Sequence, residues 1–280
     1  MSGIHWLGVD ECHDAGIVGG KAAALSRLAA LHRVPPGFAI PATPSYSRSI
    51  PPAVEGAVRD AYLELAKRSA INDLPVAVRS SALDEDGADS SFAGQHDTYL
   101  NIRGCNELLD AIQRCVGSAS SREALAYREQ RGLAMDGVGI GVLVQQLVAS
   151  DVSAVVFSAN PVSGARDEIM INASWGLGES IVGGSVTPDT YVVEKGTMEL
   201  AWRDLACKER MTVLQDIGTL EVDVPADLQM KSSLDDHEVR EIAALAARLE
   251  DTCGYPVDVE CAIAGGVLYL LQCRPITTLR

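Results

Sequence analysis

Two apolar runs near the end of the sequence, Val257 to Ala262 and Val267 to Gln272, flank the segment Ala264-Gly265-Gly266. That spacing commits them to an antiparallel hairpin. Just before it, Asp235 to Thr252 reads as a helix, with Asp235 or Asp236 as N-cap and Gly254 beyond its last turn. Elsewhere strand-like and helix-like stretches are mixed, without the regular alternation of a doubly wound parallel sheet. The fold class that follows is α+β.

The rest of the chain fills in that frame. Gly19-Gly20 precede a run of strong helix formers from Lys21 to Leu31, which Val34-Pro35-Pro36-Gly37 stops. Phe38 to Ile40 forms a short strand and Pro52 to Ala70 an amphipathic helix. Val76 to Arg79 is a strand, Ser80 to Gly94 an acidic, small-residue loop, and Tyr99 to Ile102 another strand. Asn106 to Arg131 is helical in pattern, with Gly117 to Ser121 as a candidate break. Strands follow at Gly141 to Val148, Ser153 to Ser158, Ile169 to Ala173, Thr190 to Val193 and Met198 to Trp202. The polar stretch Thr219 to Ser233 reads as a mobile connection.

Composition narrows the function classes. With 47% hydrophobic residues over 280 positions the chain can bury a substantial core. No apolar run approaches the roughly 20 residues that span a bilayer, and the acidic N-terminus has no signal-peptide pattern, so the expected address is cytoplasmic. The 7 cysteines form no C-x-x-C pair and read as reduced thiols. A net charge of −15 argues against general affinity for nucleic acid or an anionic membrane. A few cations focused in one cleft can still hold a triphosphate.

Three segments carry candidate chemistry. Gly19-Gly20-Lys21 opens a helix, where backbone N–H groups and an ammonium can converge on phosphate. It is not a Walker A loop, because Ala22 follows the lysine; the plain alternative is a solvated lysine. Arg79 ends a strand before a Ser/Gly loop and can fork onto phosphate oxygens. Its alternative is an ion pair with Asp84, Glu85 or Asp86. In the terminal hairpin, alternation puts Asp258 and Glu260 on one face and Gln272 and Arg274 on one face, which antiparallel pairing can set side by side. Glu260 and Gln272 would then offer oxygens to Mg²⁺, with Arg274 neutralising phosphate. Cross-strand ion pairing is the competing reading.

Taken together, GGKAAALSRL with VPPGFAI, VAVRSSALDEDGADSSFAGQHDTYLNI, VLVQQLV, SAVVFSANPVSG, INASWGLGESIVGGSVTPDTYVV and VDVECAIAGGVLYLLQCRPIT resemble the N-terminal ATP-binding domain of phosphoenolpyruvate synthase, pyruvate phosphate dikinase and rifampicin phosphotransferase. The resemblance implies an ATP-grasp-like fold with two lobes enclosing the nucleotide, here expected as residues 1–185 and 186–280. It implies that Lys21 and Arg79 bind the phosphates, that Gly94 and Gln95 cover them, and that Gln145, Gln146, Leu147 and Val148 meet the adenine. Glu179 would hold the ribose or order the lobes. Glu260 and Gln272 would carry Mg²⁺ with Asp258 assisting, and Arg274 would stabilise the transferred group.

The family's chemistry passes the β-phosphoryl of ATP to a histidine on a swivelling domain, giving AMP and phosphate. None of His5, His13, His32, His96 and His237 lies in a carrier-like context, and no T-x-x-G-G-x-T-x-H-like stretch follows Arg274. The expectation is therefore an ATP-binding subunit that serves a histidine-bearing phosphocarrier subunit, with a small acceptor bound by the partner. Two-component aryl-phosphate synthases make phenol or an alkylphenol the leading acceptor. The alternatives are an excised domain of a longer synthase or antibiotic phosphotransferase, an ATP-binding module without turnover, and an ATP-dependent ligase using a phosphorylated intermediate.

Overall fold

The computed structural model describes residues 3–43, 50–83, 98–118, 139–277 and 279. The chain divides between Leu147 and Val148 into two units. The boundary expected between residues 185 and 186 falls inside the second unit, whose sheet draws strands from both sides of it.

In the first unit, β1 (His5–Trp6), β2 (Gly37–Ile40), β3 (Val76–Ala82), β4 (Thr98–Ile102) and β5 (Ile140–Gln146) form one sheet in the order β1-β2-β5-β3-β4. Every neighbouring pair is antiparallel. Among the described residues four α-helices accompany it: α1 (Ala15–Val18), α2 (Gly20–Leu28), α3 (Pro52–Ser69) and α4 (Cys105–Ser118). Proline opens α3, and the left-handed Ala70 (φ 53°) ends it. Its buried residues Val54, Val58, Tyr62 and Leu65 recur at helical spacing. With Leu108 and Ile112 of α4 they cover Phe38, Val76, Val78 and Val144, which forms the core.

The strand expected to end at Arg79 continues through Ser80, Ser81 and Ala82. These residues pair with Val142, Gly141 and Ile140 of β5 and are buried, so ladder hydrogen bonds outweigh the loop preference of a serine pair. The helix expected from Asn106 to Arg131 is described as far as Ser118, and its remainder lies outside the described residues.

The second unit contains β6 (Val152–Phe157), β7 (Glu168–Trp175), β8 (Asp189–Glu194), β9 (Glu199–Asp204), β10 (Arg210–Leu214), β11 (Thr219–Asp223), β12 (Val257–Ala264) and β13 (Val267–Pro275). Six of these build an antiparallel sheet in the order β13-β12-β6-β7-β8-β9, and β10 and β11 form a separate two-stranded ribbon. Its helices are α5 (Glu179–Val182), α6 (Ala226–Gln229) and α7 (Asp236–Cys253). Asp235 caps α7 in a complete capping box with Glu238, and Gly254 (φ 78°) closes it, as the sequence indicates. Val239, Ile242, Leu245 and Leu249 of α7 are buried, and the helix packs on the sheet. Burial alternates along β6, β7 and β8, so one face of the sheet is core and the other is half-exposed.

The connection expected to be mobile is organised. Thr219 to Asp223 is a ribbon strand, and Ser233 is tied to Asp189 through both its backbone N–H and its hydroxyl, each at 2.8 Å. The other oxygen of Asp189 accepts from the Lys208 ammonium at 2.6 Å and from the Ala206 N–H at 3.0 Å, and neither charged side chain has any solvent exposure. The Lys208 ammonium also donates to the Ala206 carbonyl. One carboxylate therefore ties the ribbon's entry and exit to β8. Cys207 is exposed, while burial pushes the Cys261 thiol up to about 12.

No described helix is long and apolar enough to cross a membrane. Asp189→Asn keeps the shape of that carboxylate and removes its charge, stranding the Lys208 ammonium in the interior. Urea unfolding should show a loss of about 3–5 kcal/mol, the range for breaking a buried pair at one partner. A loss below about 1 kcal/mol would mean that the network does not hold the ribbon.

Candidate functional site

In the first unit the junction between α1 and α2 meets the end of β3. Gly19 has φ 84°, a conformation that side chains disfavour, and a Cβ there would collide with the Ser81 backbone carbonyl. Gly141 on β5 is likewise bare, because a Cβ would strike the Val18 carbonyl. The two glycines let the junction seat directly on the sheet. The seat is fixed by the Ser81 hydroxyl, which accepts from the Ala22 N–H at 3.1 Å, in the first turn of α2.

Lys21 is consequently not a solvated lysine. It is 8% exposed, and its ammonium donates to the Ser80 carbonyl at 3.2 Å. Arg79, 9% exposed, shares a face of β3 with Ser81. The two candidate phosphate-binding cations thus belong to one assembly of α2 and β3. Whether Arg79 pairs with Asp84, Glu85 or Asp86 concerns residues outside the description, as do Gly94 and Gln95, the expected cover of the phosphates.

Gln145 stands on β5 opposite Gly37 and Ala77. Its side chain is buried, and its amide donates to the Pro35 carbonyl at 3.1 Å. Gln146 accepts from the Ser69 hydroxyl at 3.0 Å, and the N–H groups of Gln146 and Leu147 donate to the carbonyls of Pro36 and Pro75. Val148 opens the second unit.

The hairpin of β12 and β13 realises the register that alternation implies. Asp258 faces Arg274 and Glu260 faces Gln272, and a bulge next to Glu260 sets Leu271 as an extra residue before Gln272. The competing reading, a cross-strand ion pair, is also present. Arg274 closes on one oxygen of Asp258, with Nε at 2.9 Å and Nη2 at 2.8 Å. The other oxygen, Oδ1, is buried and makes no hydrogen bond among the described residues. Burial pushes the Asp258 carboxyl above the usual range; Arg274 opposes that shift and the neighbouring Glu260 adds to it.

Among the described residues no three His, Cys, Asp or Glu side chains gather into a metal cluster. What β12 and β13 offer is one carboxylate and one amide oxygen in register. Such a pair fits Mg²⁺, which keeps several waters and takes much of its coordination from substrate phosphates.

Glu179 begins α5 and is exposed. The turn before it packs on β6, where the Gly178 backbone comes close to Ser153, and Gly176 is bare because the Thr212 carbonyl occupies the place of a Cβ. The sequence reading missed Asn172 and Thr190, which share the half-exposed face of the sheet with Glu260. A polar residue within the apolar run Ile169 to Ala173 was the available signal.

Residues 45–280 match the family described as the pyruvate phosphate dikinase AMP/ATP-binding domain. The chain belongs to this family. It is 44% identical over 225 residues to the probable phosphoenolpyruvate synthase of Methanocaldococcus jannaschii, a match covering 80% of this chain and 19% of that protein. With the phosphoenolpyruvate synthase of Pyrococcus furiosus it shares 42% over 243 residues, covering 84% of this chain and 30% of the relative. With a Streptomyces rifampicin phosphotransferase it shares 38% over 231 residues, covering 82% and 26%. The chain thus spans between about a fifth and a third of the length of these relatives. Among solved structures, D-alanyl-alanine synthetase A from Vibrio cholerae is 12% identical with a TM-score of 0.40, covering 94% of this chain and 58% of that one. That likeness is distant.

In this AMP/ATP-binding domain the seating of α2 on β3 should be intolerant of any side chain at residue 19. Gly19→Ala combines a strained φ with a backbone collision, and urea unfolding should show it destabilised by about 2–5 kcal/mol, the sum of the two costs. Gly104→Ala, also at positive φ but with open space around it, should cost only about 1–2 kcal/mol. Equal losses would remove the collision as a constraint.

Proposed function

We propose that this chain is the ATP-binding part of an ATP-dependent, dikinase-type phosphotransferase of ATP-grasp-like fold. The observation that carries the reading is the pairing of Glu260 with Gln272 beside Arg274 on one face of a hairpin, in a chain whose other unit gathers Lys21 and Arg79 at the seat of α2 on β3. Phosphoryl transfer asks the protein for positioning and charge neutralisation more than for covalent chemistry. Lys21 and Arg79 offer the cations, and Glu260 with Gln272 the metal-holding pair, that these tasks need.

In this reading Lys21 and Arg79 hold phosphate oxygens, and Glu260 and Gln272 hold Mg²⁺, which would draw charge from the polyphosphate. Arg274 leaves or shares Asp258 to meet the transferring group. The segment Gln145 to Val148 meets the adenine through Gln146, Leu147 and Val148, since the Gln145 amide is committed to Pro35. Glu179 holds the ribose, and Gly94 and Gln95 cover the phosphates. The β-phosphoryl group passes to a histidine and water takes the γ-phosphoryl, so the nucleotide leaves as AMP together with one phosphate.

The receiving histidine is supplied by further protein, either a phosphocarrier subunit or a continuation of the same chain. The short share of each relative that this chain covers is what supports that statement. The final acceptor, bound by that further protein, is a small hydroxylated molecule, with phenol or an alkylphenol favoured.

The test is incubation of the chain with [β-³²P]ATP and Mg²⁺, with and without a candidate histidine-bearing partner, before any acceptor is added. Expected are AMP, free phosphate and acid-labile label on the partner, formed only when both proteins are present. Lys21→Ala and Glu260→Ala should each lower the rate by about 10²–10³, as for loss of one group that stabilises developing charge. ADP as the product, or AMP formation indifferent to every partner, would contradict the proposal. Adding phenol to the labelled partner then tests the acceptor.

A further inference from the structure

The half-exposed face of the second sheet carries a polar row in line with the metal-holding pair. Reading across the strands, Gln272 faces Glu260, Glu260 faces Val155, Val155 faces Asn172 and Asn172 faces Thr190. The next row on that face is different. There Asp258 faces Phe157, Phe157 faces Met170, Met170 faces Val192 and Val192 faces Trp202. That row is apolar away from the hairpin. On the other side Ala262 faces Ser153 and Ser153 faces Ser174, both serines being buried, so the half-exposed polar groups of this face nearest Glu260 and Gln272 are Asn172 and Thr190.

Asn172 has a defined orientation on that line. The Thr190 hydroxyl donates to its Oδ1 at 3.0 Å, which fixes the amide plane. Its Nδ2 makes no hydrogen bond among the described residues, and the side chain is half-exposed. An amide held by its oxygen presents two N–H donors to whatever lies over the sheet. Asn172 stands two strands from Glu260, a separation of roughly 10 Å at the usual strand spacing. That is within the length of a nucleotide whose metal-bound phosphates rest at the hairpin.

We infer that Asn172, oriented by Thr190, is a nucleotide contact that donates a hydrogen bond to an oxygen of the sugar–phosphate portion of ATP. The inference rests on the proposed role of Glu260 and Gln272 and adds a specificity-determining residue to that same site. Asn172 is the contacting group. Thr190 is a positioning residue that acts through it. A carboxylate at position 172 would have the same shape but no donor and would repel phosphate.

The experiment is calorimetric titration of the full chain with Mg·ATP, each variant first being checked for an unchanged thermal unfolding midpoint. Asn172→Ala should weaken Kd by roughly tenfold, the scale of one good hydrogen bond, and Asn172→Asp by more. Thr190→Val should weaken it less, and should add nothing further in the Asn172→Ala background. Titration with 2′-deoxy- and 3′-deoxy-ATP, and with adenosine, locates the oxygen. A loss that vanishes with one deoxy nucleotide assigns it to that sugar hydroxyl, whereas a loss that persists with both and vanishes with adenosine assigns it to phosphate. Because Asn172→Asp preserves the shape and volume of the side chain, it keeps the test valid should the alanine variant fold poorly. If wild-type chain binds Mg·ATP, Glu260→Ala weakens that binding and both Asn172 variants bind as wild type, the assignment of Asn172 is overturned alone. If wild-type chain takes up no Mg·ATP, or Glu260→Ala leaves it unchanged, the underlying reading of the site is overturned and this inference with it.

Discussion

The register of β12 is the constraint on which the chemistry of the second unit depends. This strand pairs with β13 on one side and β6 on the other, and both ladders are antiparallel. Side chains in a strand alternate strictly between faces, so a slip of one residue would exchange Asp258 and Glu260 for Val257, Val259 and Cys261. The last three are fully or almost fully buried. The free energy of keeping them in the core under α7 therefore fixes which face the carboxylates take. The polar face is a consequence of the apolar one, and the position of Gln272 and Arg274 follows from the same ladder.

The first unit solves a different problem, which is to bring cations close to a sheet without losing the sheet's packing. Helices α3 and α4 bury one face, where Val76 and Val78 sit. On the other, the Gly19 and Gly141 positions remove the Cβ atoms that would hold the α1–α2 junction away from the backbone of β3 and β5. Close approach is what allows the Ser81 hydroxyl to cap the Ala22 N–H and the Ser80 carbonyl to receive the Lys21 ammonium. A lysine that would cost little on the surface is thereby taken largely out of water, where its charge is less screened and acts more strongly on an anion.

Much of this was legible in the sequence, for reasons that can be located. The capping residues of α7, the glycine turn of the β12–β13 hairpin and the alternation of Asp258, Glu260, Gln272 and Arg274 are local signals, and local geometry decides them. What escaped was set by tertiary pairing. Ser80 and Ser81 read as loop residues because serine favours turns, yet β5 supplies their ladder partners. Thr219 to Ser233, which includes β11, read as a loose connection because the fully buried Asp189–Lys208 pair beside it joins residues far apart in sequence. The boundary expected between residues 185 and 186 falls within the six-stranded sheet, whose strand order does not follow sequence order. Asn172 was hidden inside an otherwise apolar strand.

The central claim is that the pair Glu260 and Gln272 on β12 and β13 holds Mg·ATP. Amide hydrogen exchange of the whole chain, followed by mass spectrometry with and without saturating Mg·ATP, tests it most directly. The account predicts slowed exchange both in peptides spanning Gly19 to Ala22 and Val78 to Ala82 and in peptides spanning Asp258 to Cys261 and Leu271 to Arg274. Omission of Mg²⁺ should diminish the second set more than the first. Protection absent from Asp258 to Cys261 and Leu271 to Arg274, or equal with and without the nucleotide, would contradict it.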